Sequence, residues 1–105
     1  MKTIGLIGGM SWEAALPYYS HINTQVRERL GGLHSARVVL NSVDFEEIAA
    51  LQRADDWDAA AALLVAAARA VEAAGAGCVL VCTNTMHKVA PQIQAAVDIP
   101  LLHIG

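Results

Sequence analysis

The sequence predicts an α/β fold: a parallel four-stranded sheet with flanking helices. Short apolar runs recur at residues 4–8, 36–41, 77–81 and 101–104. Segments of helical length separate them, an alternation that gives parallel strands joined by right-handed crossovers. The third run is apolar throughout, as suits a strand covered on both faces.

Taken in order, residues 4–8 read as a buried strand closed by a tight Gly8-Gly9 turn, with Ser11 placed to cap the next helix. That helix runs through Tyr18, Ile22 and Val26 to about Leu30. Pro17 falls early in it, where a missing N–H is tolerated, and Gly31-Gly32 stops it. The second strand, 36–41, leads to Asp44, which can cap a short helix over 45–54, with Glu47 three residues on as in a capping box. Asp55-Asp56 starts an alanine-rich helix over 57–74 that Gly75 ends. The third strand is followed by a loop over 82–85, then by a helix over 86–97 bent at Pro91. A fourth strand covers 101–104, where the chain stops, as a fold cut in its middle would.

The 105 residues suffice for one domain with a real core. The net charge of −3, with no Lys/Arg stripe, argues against nucleic acid and anionic membranes as partners. The longest apolar stretch, 59–68, is too short to span a bilayer. Met1-Lys2-Thr3 leads straight into a strand without a signal-like leader, so a cytoplasmic protein is expected. Cys78 and Cys82 lie four residues apart in one strand, roughly 13 Å. That is too far for a disulfide, and both are expected as reduced thiols. The histidines and cysteines show no zinc-ligand spacing, and no metal is expected.

Ligands of parallel α/β sheets bind beyond the carboxyl ends of the strands. Three segments reach that edge: Gly8-Gly9-Met10-Ser11, Asn41-Ser42-Val43-Asp44 and Cys82-Thr83-Asn84-Thr85-Met86-His87. The first and third lead into helix N-termini, whose unpaired N–H groups suit a carboxylate or phosphate. The glycine turn is not a G-x-G-x-x-G fingerprint, and Asp44 lies further on than a dinucleotide site needs. A small anionic substrate fits it better, and a turn that merely needs glycine is the plain alternative. The third segment packs a thiol, two hydroxyls, an amide and an imidazole into six residues. Capping hydroxyls, a buried cysteine and a first-turn histidine would be the structural alternative.

These stretches resemble the aspartate/glutamate racemases that work without pyridoxal phosphate. The residues that carry the resemblance are Gly8-Gly9-Met10-Ser11-Trp12, Pro17-Tyr18-Tyr19, Leu30-Gly31-Gly32-Leu33-His34-Ser35-Ala36, Ser42-Val43-Asp44-Phe45, Cys82-Thr83-Asn84-Thr85-Met86-His87-Lys88 and Pro100-Leu101-Leu102-His103-Ile104. They run in order along the whole chain. The resemblance implies a two-base racemisation of an amino acid, with one acid/base group in each half of a pseudo-symmetric, two-domain protein and no cofactor. Residues 1–105 would then be the N-terminal α/β domain, one Rossmann-like half. The second catalytic cysteine and a substrate-binding lysine would belong to the other half.

Most of the family carries a Cys-Asn-Thr motif. Matching Asn84-Thr85 to it places Thr83 at the cysteine position and Cys82 one residue early. Strand alternation turns Cys82 away from Thr83. The resemblance therefore assigns Thr83 as the acid/base position, with Cys82 as the second catalytic candidate. A threonine is a far weaker base than a thiolate, so one enantiomer should be handled better, with the other half's cysteine acting on L-substrates. Asn84 and Thr85 would hold the α-carboxylate, and Met10, Ser11 and Gln52 would contact substrate. The 105-residue chain alone should lack racemase activity, and it should dimerise or self-associate. Hydantoin racemases, maleate isomerases and arylmalonate decarboxylases share the fold and remain alternatives, as does a non-catalytic ligand-binding module.

Overall fold

The computed structural model describes residues 2–9, 12–82 and 87–102, His87 in its backbone alone. Strand β1 (Ile4–Gly8) leads through a 3-10 turn (Trp12–Ala14) into helix α1 (Ala15–Leu30). Strand β2 (Val38–Ser42) is followed by helices α2 (Phe45–Arg53) and α3 (Trp57–Ala73). Strand β3 (Cys78–Val81), a 3-10 turn (His87–Val89), helix α4 (Ala90–Ala96) and strand β4 (Leu101–Leu102) complete the order. The strands form one sheet in the order β2-β1-β3-β4, every pair parallel. The predicted fold class is the observed one.

The chain leaves β1 toward one edge of the sheet, then crosses back over it to β3 and continues to the other edge. The carboxyl ends of β1 and β3 therefore flank the point where the connections diverge, which is where sheets of this kind bind ligands.

Strand alternation sorts the core into two layers. Ile7 and Val79 face α3 and α4 and join Ile48, Leu64, Ala67, Ala68, Val71 and Ile93 in the larger cluster. Leu6 and Cys82 face α1 and cluster with Ala15, flanked by Tyr18, Ile22 and Leu80. Burying side chains such as Ile7, Leu64 and Ile93 contributes about 1.5–3 kcal/mol each. The alanines of α3 let it sit close to the sheet. Gly5 is the strand's answer to that closeness, since a Cβ there would lie 2.8 Å from a Val71 methyl and 3.1 Å from the Ala76 Cβ.

The two faces are covered unequally. α3 and α4 lie on one face, whereas among the described residues α1 is the helix that covers the other. Beside α1, an open apolar groove is lined by Ala14, Pro17, Tyr18, His21, Ile22 and Leu80.

Local signals behave largely as the sequence predicts. Gly31, at φ 73°, ends α1 and donates its N–H to Arg27 O at 2.8 Å. Asp44 caps α2 by accepting from the Glu46 N–H at 3.1 Å, and Asp56 caps α3 by accepting from Ala59 N–H at 3.1 Å. Two boundaries differ. β2 starts at Val38 rather than residue 36, because the Ala36 N–H donates to the Asn23 side chain at 2.9 Å and never enters the ladder. The expected helix over 86–97 divides into a 3-10 turn and α4. Pro91 then occupies the first turn of α4, where it removes no ladder bond, instead of bending a longer helix. β4 is described over residues 101–102, and 103–105 lie outside the described residues.

Candidate functional site at the carboxyl edge of the sheet

Two backbone hydrogen bonds tie together the described beginnings of the three predicted segments. The Val43 N–H donates to Gly8 O at 2.8 Å, tying the end of β2 to the end of β1. The Cys82 N–H donates to Ile7 O at 2.9 Å, extending the β1–β3 ladder by one residue. β1 lies between β2 and β3, so its carboxyl end at Gly8 borders the carboxyl ends of both neighbouring strands. Gly9 is irreplaceable in this arrangement. Its φ is +96°, and a Cβ there would lie 2.0 Å from Val43 O. The turn approaches the neighbouring loop more closely than any side chain permits.

Of the two residues expected to be catalytic, Thr83 and Cys82, only Cys82 lies among the described residues. It is 1% exposed and packs with Leu6 and Ala15 on the α1 side of the sheet. Burial disfavours the charged thiolate and pushes its pKa up to about 11. At neutral pH the thiolate fraction is then about one in ten thousand. Cys78 faces the same side. Burial raises its pKa as well, and Lys2 works against that shift. Neither cysteine is in a disulfide.

Of the remaining predicted site residues, Gln52 is half-buried in the last turn of α2, the helix that departs from this edge after Asp44. Thr83, Asn84, Thr85, Met10 and Ser11 lie outside the described residues. The structure adds a feature that sequence pattern alone does not reveal. The Lys88 ammonium sits 4.7 Å from the centroid of the Trp57 ring, and the Trp57 indole N–H donates to Asp55 Oδ1 at 2.7 Å. This chain of contacts joins the turn after the third segment to the start of α3. Its only sequence signal is an aromatic residue directly after an Asp-Asp pair. Among the described residues no cluster of three or more His, Cys, Asp or Glu could hold a metal ion, and no helix is long and apolar enough to cross a membrane.

A family model described as Asp/Glu/Hydantoin racemase matches residues 7–105, which takes in all three edge segments. The chain belongs to this family. Solved structures agree with the match. A Yersinia pestis protein provisionally assigned as an Asp/Glu racemase superposes with a TM-score of 0.96 at 59% identity over 98% of this chain. An aspartate racemase homologue from Pyrococcus horikoshii OT3 superposes with a TM-score of 0.87 at 32% identity over 97% of this chain. The present racemase-family chain spans 45% and 44% of the lengths of those two proteins.

Proposed function

We propose that residues 1–105 form one acid/base half of a cofactor-independent amino-acid racemase that acts on aspartate, glutamate or a broader set. The observation that carries this reading is the family match across all three segments of the sheet's carboxyl edge. Thr83 is the acid/base position of this half. Asn84 and Thr85 hold the α-carboxylate, while Met10, Ser11 and Gln52 line the pocket. The buried, protonated thiol of Cys82 supports the assignment, because a thiol held near pKa 11 is a poor resting base.

The chemistry needs two groups on opposite faces of the substrate. One takes the Cα proton, leaving the electron pair on a carbanion stabilised by the adjacent carboxylate, and the other delivers a proton to the opposite face. A neutral threonine hydroxyl donates a proton more readily than it removes one. The easier direction therefore has the other half's base abstract and Thr83 deliver. Enantiomers are equally stable, so kcat/KM for racemisation must match in the two directions. The asymmetry belongs in kcat and in solvent-deuterium exchange, which one enantiomer undergoes faster.

The test uses a protein completed by a second half of the kind implied by the longer relatives. Thr83→Ala should abolish racemisation in both directions, while Cys82→Ala should retain it. Unchanged racemisation by Thr83→Ala would defeat the assignment. The 105-residue chain alone should not catalyse deuterium exchange at Cα of either aspartate enantiomer, and detectable exchange would defeat the two-half reading.

A further inference from the structure

The contacts around Trp57 link two parts of the candidate site that are far apart in sequence. Asp55 sits in the turn between α2 and α3 at a φ of 56°, and it is the one non-glycine residue at positive φ among the described residues. Glycine meets that conformation without steric cost, whereas an L side chain does not. The turn itself does not call for a carboxylate. The Asp55 N–H donates to Gln52 O at 3.0 Å and the Asp56 N–H to Leu51 O at 2.9 Å, so backbone closes it. Nor does α3 need one from Asp55, because Asp56 already caps it. The Asp55 carboxylate instead accepts the Trp57 indole N–H at 2.7 Å. The face of that ring holds the Lys88 ammonium, 4.7 Å from its centroid. A carboxylate at the indole's edge raises the ring's electron density and strengthens its hold on a cation. Lys88 belongs to the 3-10 turn (His87–Val89) in which the third segment ends. Beside it, Val89 is buried in the larger core cluster, against which Trp57 also packs.

We propose that Asp55, Trp57 and Lys88 are positioning residues, a strut that fixes the turn ending the third segment against the end of α2 that carries Gln52. The proposal rests on the reading above of the third segment and Gln52 as parts of one racemase site. The three residues act through their neighbours, not on the substrate. Buried Val89 fixes one point of the 3-10 turn, and a second fixed point at Lys88 stops the turn from pivoting about it. At the other end, the bond from Asp55 N–H to Gln52 O passes the constraint to α2. Racemisation makes such a strut useful. The acid/base group and the carboxylate clamp must meet the substrate in one geometry, and a misplacement of about 1 Å costs about a hundredfold in rate. An aspartate kept where glycine would be easier, aimed at a ring that holds a cation from the third segment's end, is the observation that carries the proposal.

Hydrogen exchange on the 105-residue chain reads the strut independently of any catalysis. Lys88→Met should speed amide exchange at least about tenfold both at residues 87–89 and at residues 54–56. Lys88→Arg, which keeps a cation over the ring, should exchange as the parent does. Unchanged exchange in Lys88→Met, or a change confined to residues 87–89, would overturn the proposal. In a protein completed by a second half, Lys88→Met and Trp57→Leu should each lower kcat at least about tenfold, and Lys88→Arg should retain it. The double variant Lys88→Met/Trp57→Leu should be no slower than the slower single, since both cut the same strut. Asp55→Gly should also lower kcat, yet leave the urea midpoint no lower, because it relieves the positive φ. Parent-like kcat in Lys88→Met, an equal loss in Lys88→Arg, or losses that multiply in the double variant would overturn the proposal. A completed parent that does not racemise would defeat the functional reading instead, and hydrogen exchange then decides the strut by itself.

Discussion

The N–H of Cys82 donates to the carbonyl of Ile7 at 2.9 Å. This bond carries the β1–β3 ladder one residue beyond the end of β3 and sets where the chemical segment begins. It also holds Cys82 in strand-like alternation, so that its thiol falls on the α1 side with Leu6.

A thiol so placed should be slow to react. In native protein at mildly alkaline pH, modification of Cys82 by a disulfide reagent should be at least about a hundredfold slower than in denaturant, because the thiolate is the nucleophile and burial suppresses it. Absorbance stopped-flow on a Cys78→Ala variant isolates Cys82. Equal rates in native and denatured protein would contradict the burial of this side chain.

The same burial has a consequence for stability at high pH. The folded-state pKa of Cys82 is raised from the ordinary 9.0 to about 11. The unfolded chain therefore loses its thiol proton first as pH rises. The stabilising contribution is fully present below pH 9 and is lost between 9 and about 11. Urea midpoints should fall more steeply across that window in the parent than in Cys82→Ala. Parallel curves would refute the linkage.

Gly5 and Val71 should be energetically coupled. Gly5→Ala sets a Cβ 2.8 Å from a Val71 methyl and should destabilise by about 1–3 kcal/mol. Val71→Ala removes the obstructing methyl groups at a cavity cost of its own. The double variant should lose less than the sum of the two single losses, and a double-mutant cycle by urea denaturation measures the difference. Additive losses would mean that the close approach is not the reason for the glycine.

Gly9→Ala should be worse than Gly5→Ala. The new Cβ would meet backbone atoms of Val43, which cannot rotate away, and the residue would be held at positive φ. Thermal melts should show the larger loss at Gly9. By contrast, Asp44→Ala should cost only about 1 kcal/mol, the value of one helix cap. A Gly9→Ala variant as stable as the parent would show that the turn can open.

Much of this protein is written locally. Alternating apolar runs and helical intervals gave the fold class, and caps at Asp44, Asp56 and Gly31 marked helix ends, because propensity and capping act over a few residues. Gly8-Gly9, Val43-Asp44 and Cys82 were legible as strand-end segments for the same reason. Boundaries failed where a distant partner intervened. Ala36 left the strand because Asn23, thirteen residues earlier, accepts its N–H. The proline of α4 also proved to sit at a helix start, where its missing donor is harmless.

What only the tertiary structure decided is neighbourhood. The order β2-β1-β3-β4 depends on which edges pair, and no short-range pattern encodes that. It placed the end of β1 between the other two segments, buried the Cys82 thiol against Leu6, and made Gly5 a contact site for a helix more than sixty residues away. Sequence determined which residues could form strands, helices and reactive loops, since those tendencies are local. Three-dimensional packing determined which of them meet, since burial and close approach arise only when distant segments share one core.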